Sequence, residues 1–357
     1  MSDCIEAMKI GAVTLPSPFV VSPMAGMTDT AFRRLVKRQG GCGLVVSEMV
    51  SSEGLVRGID RTLEYAEYTE EERPVSIQIF GGDPERMAEA ARVVEGMGAD
   101  IVDVNMGCPV PKIAKHHAGC SLMRDPRHAA SIIQAMTGAV RIPVTVKMRK
   151  GWDETDLSAP EVARRVEDAG ASAIAVHGRT AKQSYSGQAD WDFVGEVAQS
   201  ISIPVFGSGD CIEPEQVVSK LASGVSGVFV GRGVLRNPWI LAQARDLQDG
   251  RSARLVSLEE RGQFLLDYIR LLRDDPAGEA DGFRHVAPGQ AAEGTVARGR
   301  DRWVINKVRA LCSWYSKGLE GGSQLRMAVN SAESIAHLHD ILASFFFAHA
   351  VPATVGR

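Results

Sequence analysis

Eight short apolar runs, each followed by a turn and a stretch of helical periodicity, set the strongest constraint on what this chain can fold into. The runs are FVVSP (Phe19–Pro23), LVVSEM (Leu44–Met49), VSIQIF (Val75–Phe80), IVDVN (Ile101–Asn105), PVTVKM (Pro143–Met148), AIAVH (Ala173–His177), IPVFG (Ile203–Gly207) and GVFVG (Gly227–Gly231). Their starts lie 24 to 42 residues apart, room for one crossover helix each. Near-continuous apolar strands suit a parallel sheet buried on both faces. Asp83-Pro84 and Asp125-Pro126 each join a capping side chain to a proline at the first helical position, and Glu213-Pro214 opens a third helix. Eight such units over about 250 residues predict an α/β fold, a (β/α)8 TIM barrel, here assigned to residues 1–247. A doubly wound sheet would need a break point, and none is visible. No GxGxxG follows a strand and no GxxxxGK[ST] occurs, which disfavours Rossmann and P-loop nucleotide sites.

Past residue 247 the texture changes. LEERGQFLLDYIRLLR (258–273) is helical in period, residues 274–299 form a Gly-, Ala- and acid-rich insertion, and 303–347 is helical again, broken at Gly318 and Gly321-Gly322. This predicts a small all-helical C-terminal domain over 257–350. Of the 357 residues, 45% are hydrophobic and 24% charged, which excludes wholesale disorder. No apolar run approaches the roughly 18 residues of a membrane span, and the first ten residues lack the pattern of a secretory signal, so a cytoplasmic protein is expected. The six cysteines contain no CxxC pair, so reduced thiols are expected, with no metal site and no disulfides. A net charge of −4 does not advertise a nucleic-acid binder. Yet Arg298, Arg300, Arg302, Lys307, Arg309, Lys317 and Arg326 face only Asp301 and Glu320 in their stretch, a candidate basic face. The bland alternative for the tail is a dimer interface or a stabilising cap. Trp303, Trp314 and Tyr315 are expected in its core from their helical spacing.

Barrels of this class carry chemistry at the C-terminal ends of their strands. Those ends read Met24 and Ala25, Glu48, Gln78, Asn105 with Cys108, Lys147, His177 with Arg179, Ser208-Gly209-Asp210, and Gly231-Arg232. The last two loops are small enough to bring backbone N–H groups to a phosphate, with Arg232 adding a charge-assisted contact. Cys108, in NMGCP, is a candidate nucleophile or proton donor. Lys147, the only charged side chain at the end of its strand, places a cation where negative charge on a bound ring would be stabilised, and His177 ends the next strand.

These residues also resemble a known family. VSPMAGMTDTAFRRL, VSEMVSSEGL, QIFGGDPERMAEAA, DVNMGCPVPKIAKHHAGCSLM, PVTVKMRKGWD, AVHGRTAKQSYSGQADW, GSGD and GVFVGRGVLRNPWI are similar, in order, to motifs of the tRNA-dihydrouridine synthases, closest to the bacterial branch with the B-type enzymes. VRALCSWYSKGLEGGSQLRMAVNSA extends the likeness into the C-terminal helices. The resemblance implies a bound FMN, transient NADPH as reductant, and reduction of the C5–C6 double bond of uridines in tRNA. It implies that Pro23, Met24 and Ala25 line the flavin, Gln78 bonds its pyrimidine edge, Lys147 sits near N1/O2, and His177 lies close by. Ser208, Gly209, Asp210, Gly231 and Arg232 would hold the ribityl phosphate. Flavin N5 would deliver hydride to uracil C6 and Cys108 a proton to C5, with the target uridine out of its stack. Asn105 would help hold the uracil, while Lys112, Lys115, Arg179 and Tyr185 on the rim, with Arg302 and Arg309 of the tail, would face RNA. No membrane contact and no obligate protein partner are implied.

Three departures accompany the likeness. Ala181 stands where the family often has a second arginine, Ser208 replaces a frequent asparagine, and residues 274–299 match nothing placed. The rival readings are a small-molecule dihydropyrimidine or dihydroorotate oxidoreductase, a noncatalytic flavin or RNA binder, and a phosphosugar enzyme on the same barrel.

Overall fold

A computed structural model describes residues 8–114, 117–274 and 296–347. All eight expected strands form: β1 Phe19–Val21, β2 Leu44–Val46, β3 Val75–Phe80, β4 Ile101–Met106, β5 Val144–Arg149, β6 Ala173–His177, β7 Val205–Ser208 and β8 Gly227–Val230. Every neighbour pairs in parallel. The order runs β2–β1–β8–β7–β6–β5–β4–β3, and β2 pairs with β3 to close the barrel. The sheet therefore has no open edge across the closure, and its strands are almost wholly buried because helices cover the outside.

The helix starts follow from the sequence signals. Asp83 accepts the Arg86 N–H and opens Pro84–Gly96, Asp125 accepts the His128 N–H and opens Pro126–Thr137, and Glu213 with Gln216 makes a capping box at Pro214–Ser219. Each side chain satisfies a donor the helix itself leaves free. The sequence did not announce the antiparallel hairpin Lys9–Ile10/Val13–Thr14. Its Ile10, with Leu15, packs against Val20, Leu44, Ile101, Ala173 and Phe206 and stoppers the barrel at the strands' N-terminal ends.

The tail comprises helices Leu258–Asp274, Val296–Tyr315, Gly322–Ser331 and Ile335–Phe346. Its core is continuous with the barrel's outer layer. Phe264 stacks on Tyr315 at 5.7 Å between centroids and meets Phe32 of the first barrel helix edge-on at 6.2 Å. Such offset and edge-to-face pairs are the favoured aromatic geometries. Among the described residues no helix is long and apolar enough to cross a membrane.

Candidate active site

The strand ends open into one cavity of about 720 Å³, within the usual range of small-molecule sites. Pro23, Met24 and Ala25 form one wall, and Gln78, Asn105, Cys108 and Lys147 come from β3, β4 and β5. His177, Ser208, Gly209, Asp210, Gly231 and Arg232 complete it, and Tyr185 leans over it from the β6 loop. Residues spread over more than 200 positions thus meet at one place because each sits at or just past a strand end.

The Cys108 turn is held on three sides. Asn105 Oδ1 accepts from the backbone N–H of Gly107 (3.1 Å) and Cys108 (2.9 Å), Arg149 Nε donates to the Gly107 carbonyl (2.8 Å), and the Cys120 N–H donates to the Cys108 carbonyl (3.1 Å). The thiol is half-buried at the cavity edge. Below it lies a polar layer inside the barrel, where Asn105 Nδ2 donates to Gln78 Oε1 (2.7 Å) and Gln78 Nε2 donates to Asp103 Oδ2 (2.7 Å).

Charge is arranged unevenly. Lys147 Nζ has no hydrogen-bond or ion-pair partner among the described residues. Burial, and then the neighbouring Arg149 charge, lower its pKa to about 8 against a pull upward from Asp103. It therefore remains cationic at neutral pH. His177 does not. Burial, reinforced by the charges of Lys147, Arg149, Arg179 and Arg232, holds its pKa well below 6.5, so the imidazole is neutral. Lys147 is thus the cation at this place, and His177 is a neutral polar group. Its Nδ1 lies 3.4 Å from Ser208 Oγ, and its Nε2 is buried with no partner. An orphaned buried nitrogen beside an unpaired ammonium is costly in an isolated protein and is what a polar ring or anion would satisfy.

The β7 loop is shaped from within. Gly209 has φ +131° and Asp210 φ +52°, and a side chain on Gly207 would strike the Trp191 ring, whose Nε1 donates to the Gly209 carbonyl. Burial raises the Asp210 carboxyl, but the Ala189 N–H and the charges of Arg179 and Arg232 outweigh it and leave it below the ordinary aspartate value. Arg179 departs from its expected place. Expected on the rim, it is 2% exposed, donating to the carbonyls of Ser186 and Gly187 and to both Asp210 oxygens. Its guanidinium fork finds more acceptors inside the loop than outside.

The rim and tail divide similarly. Lys112 is exposed on the short helix Pro111–Ala114, whereas Lys115 lies outside the described residues. Tyr185 is 61% exposed with the guanidinium groups of Arg232 and Arg149 at 4.9 and 5.9 Å from its ring. Arg302 is exposed, but Arg309 donates to the carbonyls of Val329 and Ala332 and so closes the end of helix Gly322–Ser331. Of the three aromatics Trp303, Trp314 and Tyr315, only Tyr315 is fully buried in the core. Trp314 lines the cavity, and Trp303 is 38% exposed under Arg300 and Lys307. The insertion of residues 274–299 lies almost wholly outside the described residues.

Several site residues carried little or no sequence signal. Arg149 and Asp103 stand two positions from Lys147 and Asn105 on the same strands, and alternation alone would have placed them on the same inward face. Lys307 reaches the Gly26 carbonyl (2.9 Å), Asp29 (3.0 Å) and Glu48 (3.5 Å) from the tail, and no local pattern marks so distant a contact.

A model of the dihydrouridine synthase family matches residues 20–346. A probable tRNA-dihydrouridine synthase of Rickettsia conorii is 36% identical over 342 residues, covering 95% of this chain and 96% of that one. The tRNA-dihydrouridine synthase B of Pseudomonas putida is 35% identical over 331 residues, covering 92% and 91%. Among solved structures, a 2-naphthoyl-CoA reductase complex superposes with a TM-score of 0.52 at 14% identity, over 69% of this chain and 52% of that one, a likeness of fold. Sequence, barrel and cavity converge: the chain belongs to the dihydrouridine synthase family.

Proposed function

We propose that this protein reduces the C5–C6 double bond of uridines in tRNA, with FMN bound in the cavity and NADPH as reductant. The carrying observation is that Cys108, an unpaired Lys147 and the two phosphate-sized loops at Ser208–Asp210 and Gly231-Arg232 all line one cavity. The residues present fit a flavin mononucleotide. Lys147 and the orphaned His177 Nε2 suit a ring with carbonyl and nitrogen acceptors, and Arg232 beside the β7 loop suits a phosphate. When bound, the flavin supplies the hydride that reaches uracil C6.

The chain's own residues do the rest. Lys147 holds a positive charge where negative charge develops on the ring. Gln78 and Asn105 direct amide groups into the cavity floor. Cys108 donates a proton to C5, on a turn fixed by Asn105, Arg149 and Cys120. A uridine must leave its stack to reach this depth; Tyr185 lines the cavity, and the exposed Lys112, Arg302 and Trp303 are the groups that would meet the rest of the RNA. The cytoplasm, where tRNA is modified, is the proposed location.

The test is anaerobic. Protein reduced with NADPH is mixed with unmodified tRNA or free uridine while flavin absorbance is followed. Reoxidation by tRNA alone is expected. Reoxidation by free pyrimidine would make it a small-molecule reductase, and a colourless protein would exclude flavin chemistry.

A further inference from the structure

Inside the barrel a single file of side chains runs from a carboxylate to the Cys108 turn. At its lower end stands Asp103, a residue to which the proposed reaction assigns no part. Asp103 precedes Asn105 by two positions on β4, so both point inward, and it is 4% exposed. Thr145 Oγ1 donates to its Oδ1 at 2.6 Å and Gln78 Nε2 to its Oδ2 at 2.7 Å. Asn105 Nδ2 donates to Gln78 Oε1 at 2.7 Å, and the Gly107 and Cys108 N–H groups donate to Asn105 Oδ1.

From the backbone down to Asp103 every bond runs in the same sense, and the two ends impose it. A backbone N–H can only donate, and a carboxylate oxygen offers only lone pairs. A side-chain amide has nearly the same shape either way round, so packing alone does not choose its orientation. Reversing the file would set the Asn105 amide nitrogen against two backbone N–H groups and leave the Asp103 oxygen facing the Gln78 oxygen.

We infer that Asp103 is a positioning residue for this site, fixing which way round the Gln78 and Asn105 amides sit and so which end of Gln78 meets the ligand. With both oxygens committed to the file, the Asn105 amide nitrogen spends its other N–H on the Met49 thioether (3.9 Å), whereas Gln78 Nε2 keeps a second N–H for the cavity it lines, and the floor recognises ring carbonyl oxygens such as those of a flavin's pyrimidinedione edge. This rests on the flavin reading above. Hydrogen bonds carry Asp103 to the flavin only through Gln78; its other reach, the charge that raises the Lys147 pKa, is removed by running the cycle in a Lys147→Met background as well, where the effect of Asp103 must vanish when Gln78 cannot form the link.

The experiment is a double-mutant cycle on the full chain. Apoprotein is titrated with FMN and flavin fluorescence is followed in the wild type, Asp103→Leu, Gln78→Leu and the double variant. Each single variant should weaken FMN binding by about tenfold, the scale of one buried polar group left unpaired. The double should bind no more weakly than Gln78→Leu, because residues acting through one link are not additive. A double variant showing the product of both losses, about a hundredfold, overturns the inference, as does an Asp103→Leu variant that binds FMN normally. A wild type that binds no FMN overturns the flavin reading instead. Circular dichroism checks the fold. If Asp103→Leu does not fold, the smaller Asp103→Val, which likewise offers Gln78 no acceptor, takes its place in the cycle with the same two outcomes.

Discussion

Replacing Lys307 with Met would separate the tail from the cavity wall. The Lys307 ammonium touches the Gly26 carbonyl, Asp29 and Glu48, and the three charged side chains are only 13%, 14% and 6% exposed. Burial lowers its pKa, but the Asp29 and Glu48 charges raise it more, so its folded value exceeds the ordinary 10.5. The pairing therefore contributes fully below pH 10.5 and is lost only as pH rises through the higher folded value. Breaking a buried pair from one side costs about 3–5 kcal/mol. The low end applies here, because Asp29 keeps the Tyr268 hydroxyl and the Phe32 N–H, and Glu48 keeps the Gly26 N–H. With an unfolding entropy of about 2.1 cal/mol/K per residue over the 357-residue chain, a loss of about 3 kcal/mol lowers Tm by about 4 °C. Since Gly26 adjoins the Met24 and Ala25 wall, FMN should also stabilise the variant less than the wild type. Thermal melts followed by circular dichroism, with and without FMN, read both effects. Adding Asp29→Asn and Glu48→Gln should recover part of the loss by removing the unpaired charges. A Lys307→Met protein melting within about 1 °C of the wild type would refute the reasoning.

The other predictions are briefer. Cys108→Ala should keep a yellow flavin reducible by NADPH yet lose about 10²–10⁴-fold in uridine reduction, read by stopped flow; normal turnover removes it as the proton donor. Lys147 is cationic below about pH 8 and neutral above, so FMN affinity should fall as pH rises through that value. Lys147→Met should bind weakly at every pH, and a wild-type profile that stays flat from about pH 7 to 9 would sever the link between this ammonium and the ligand. Arg302→Ala should weaken tRNA binding and reduce its salt slope by about one. Arg309→Ala should instead lower stability by roughly 1 kcal/mol, through the lost carbonyl contacts. An equal change in salt slope from both variants would return Arg309 to the RNA face.

What the sequence made legible was local. Eight apolar runs, three proline-led helix starts and the small residues at Ser208–Asp210 are each contained in a few consecutive positions, and all appear where expected. The strand ends also predicted one cavity, because a barrel brings its C-terminal ends together whatever lies between them. What escaped depends on partners far away in the chain. Arg179 has a surface residue's composition, yet Asp210 and two loop carbonyls draw it inside. The charge state of His177 is not written in its own strand: burial and then four positive neighbours make it neutral. Trp314 has the spacing of a core residue, but the core position beside it is taken by Tyr315, leaving Trp314 to face the cavity.

The contact between Lys307 and the mouth has a consequence for protein engineering. The helix Val296–Tyr315 supplies both Trp314 to the cavity and Lys307 to the Gly26, Asp29 and Glu48 cluster, so the barrel and the tail are not interchangeable cassettes. Grafting another family member's C-terminal helices onto this barrel would replace part of the cavity's lining as well. A chimera that preserves the cavity must carry residues 24–48 and 296–315 from the same parent, even though about 250 residues separate the two stretches.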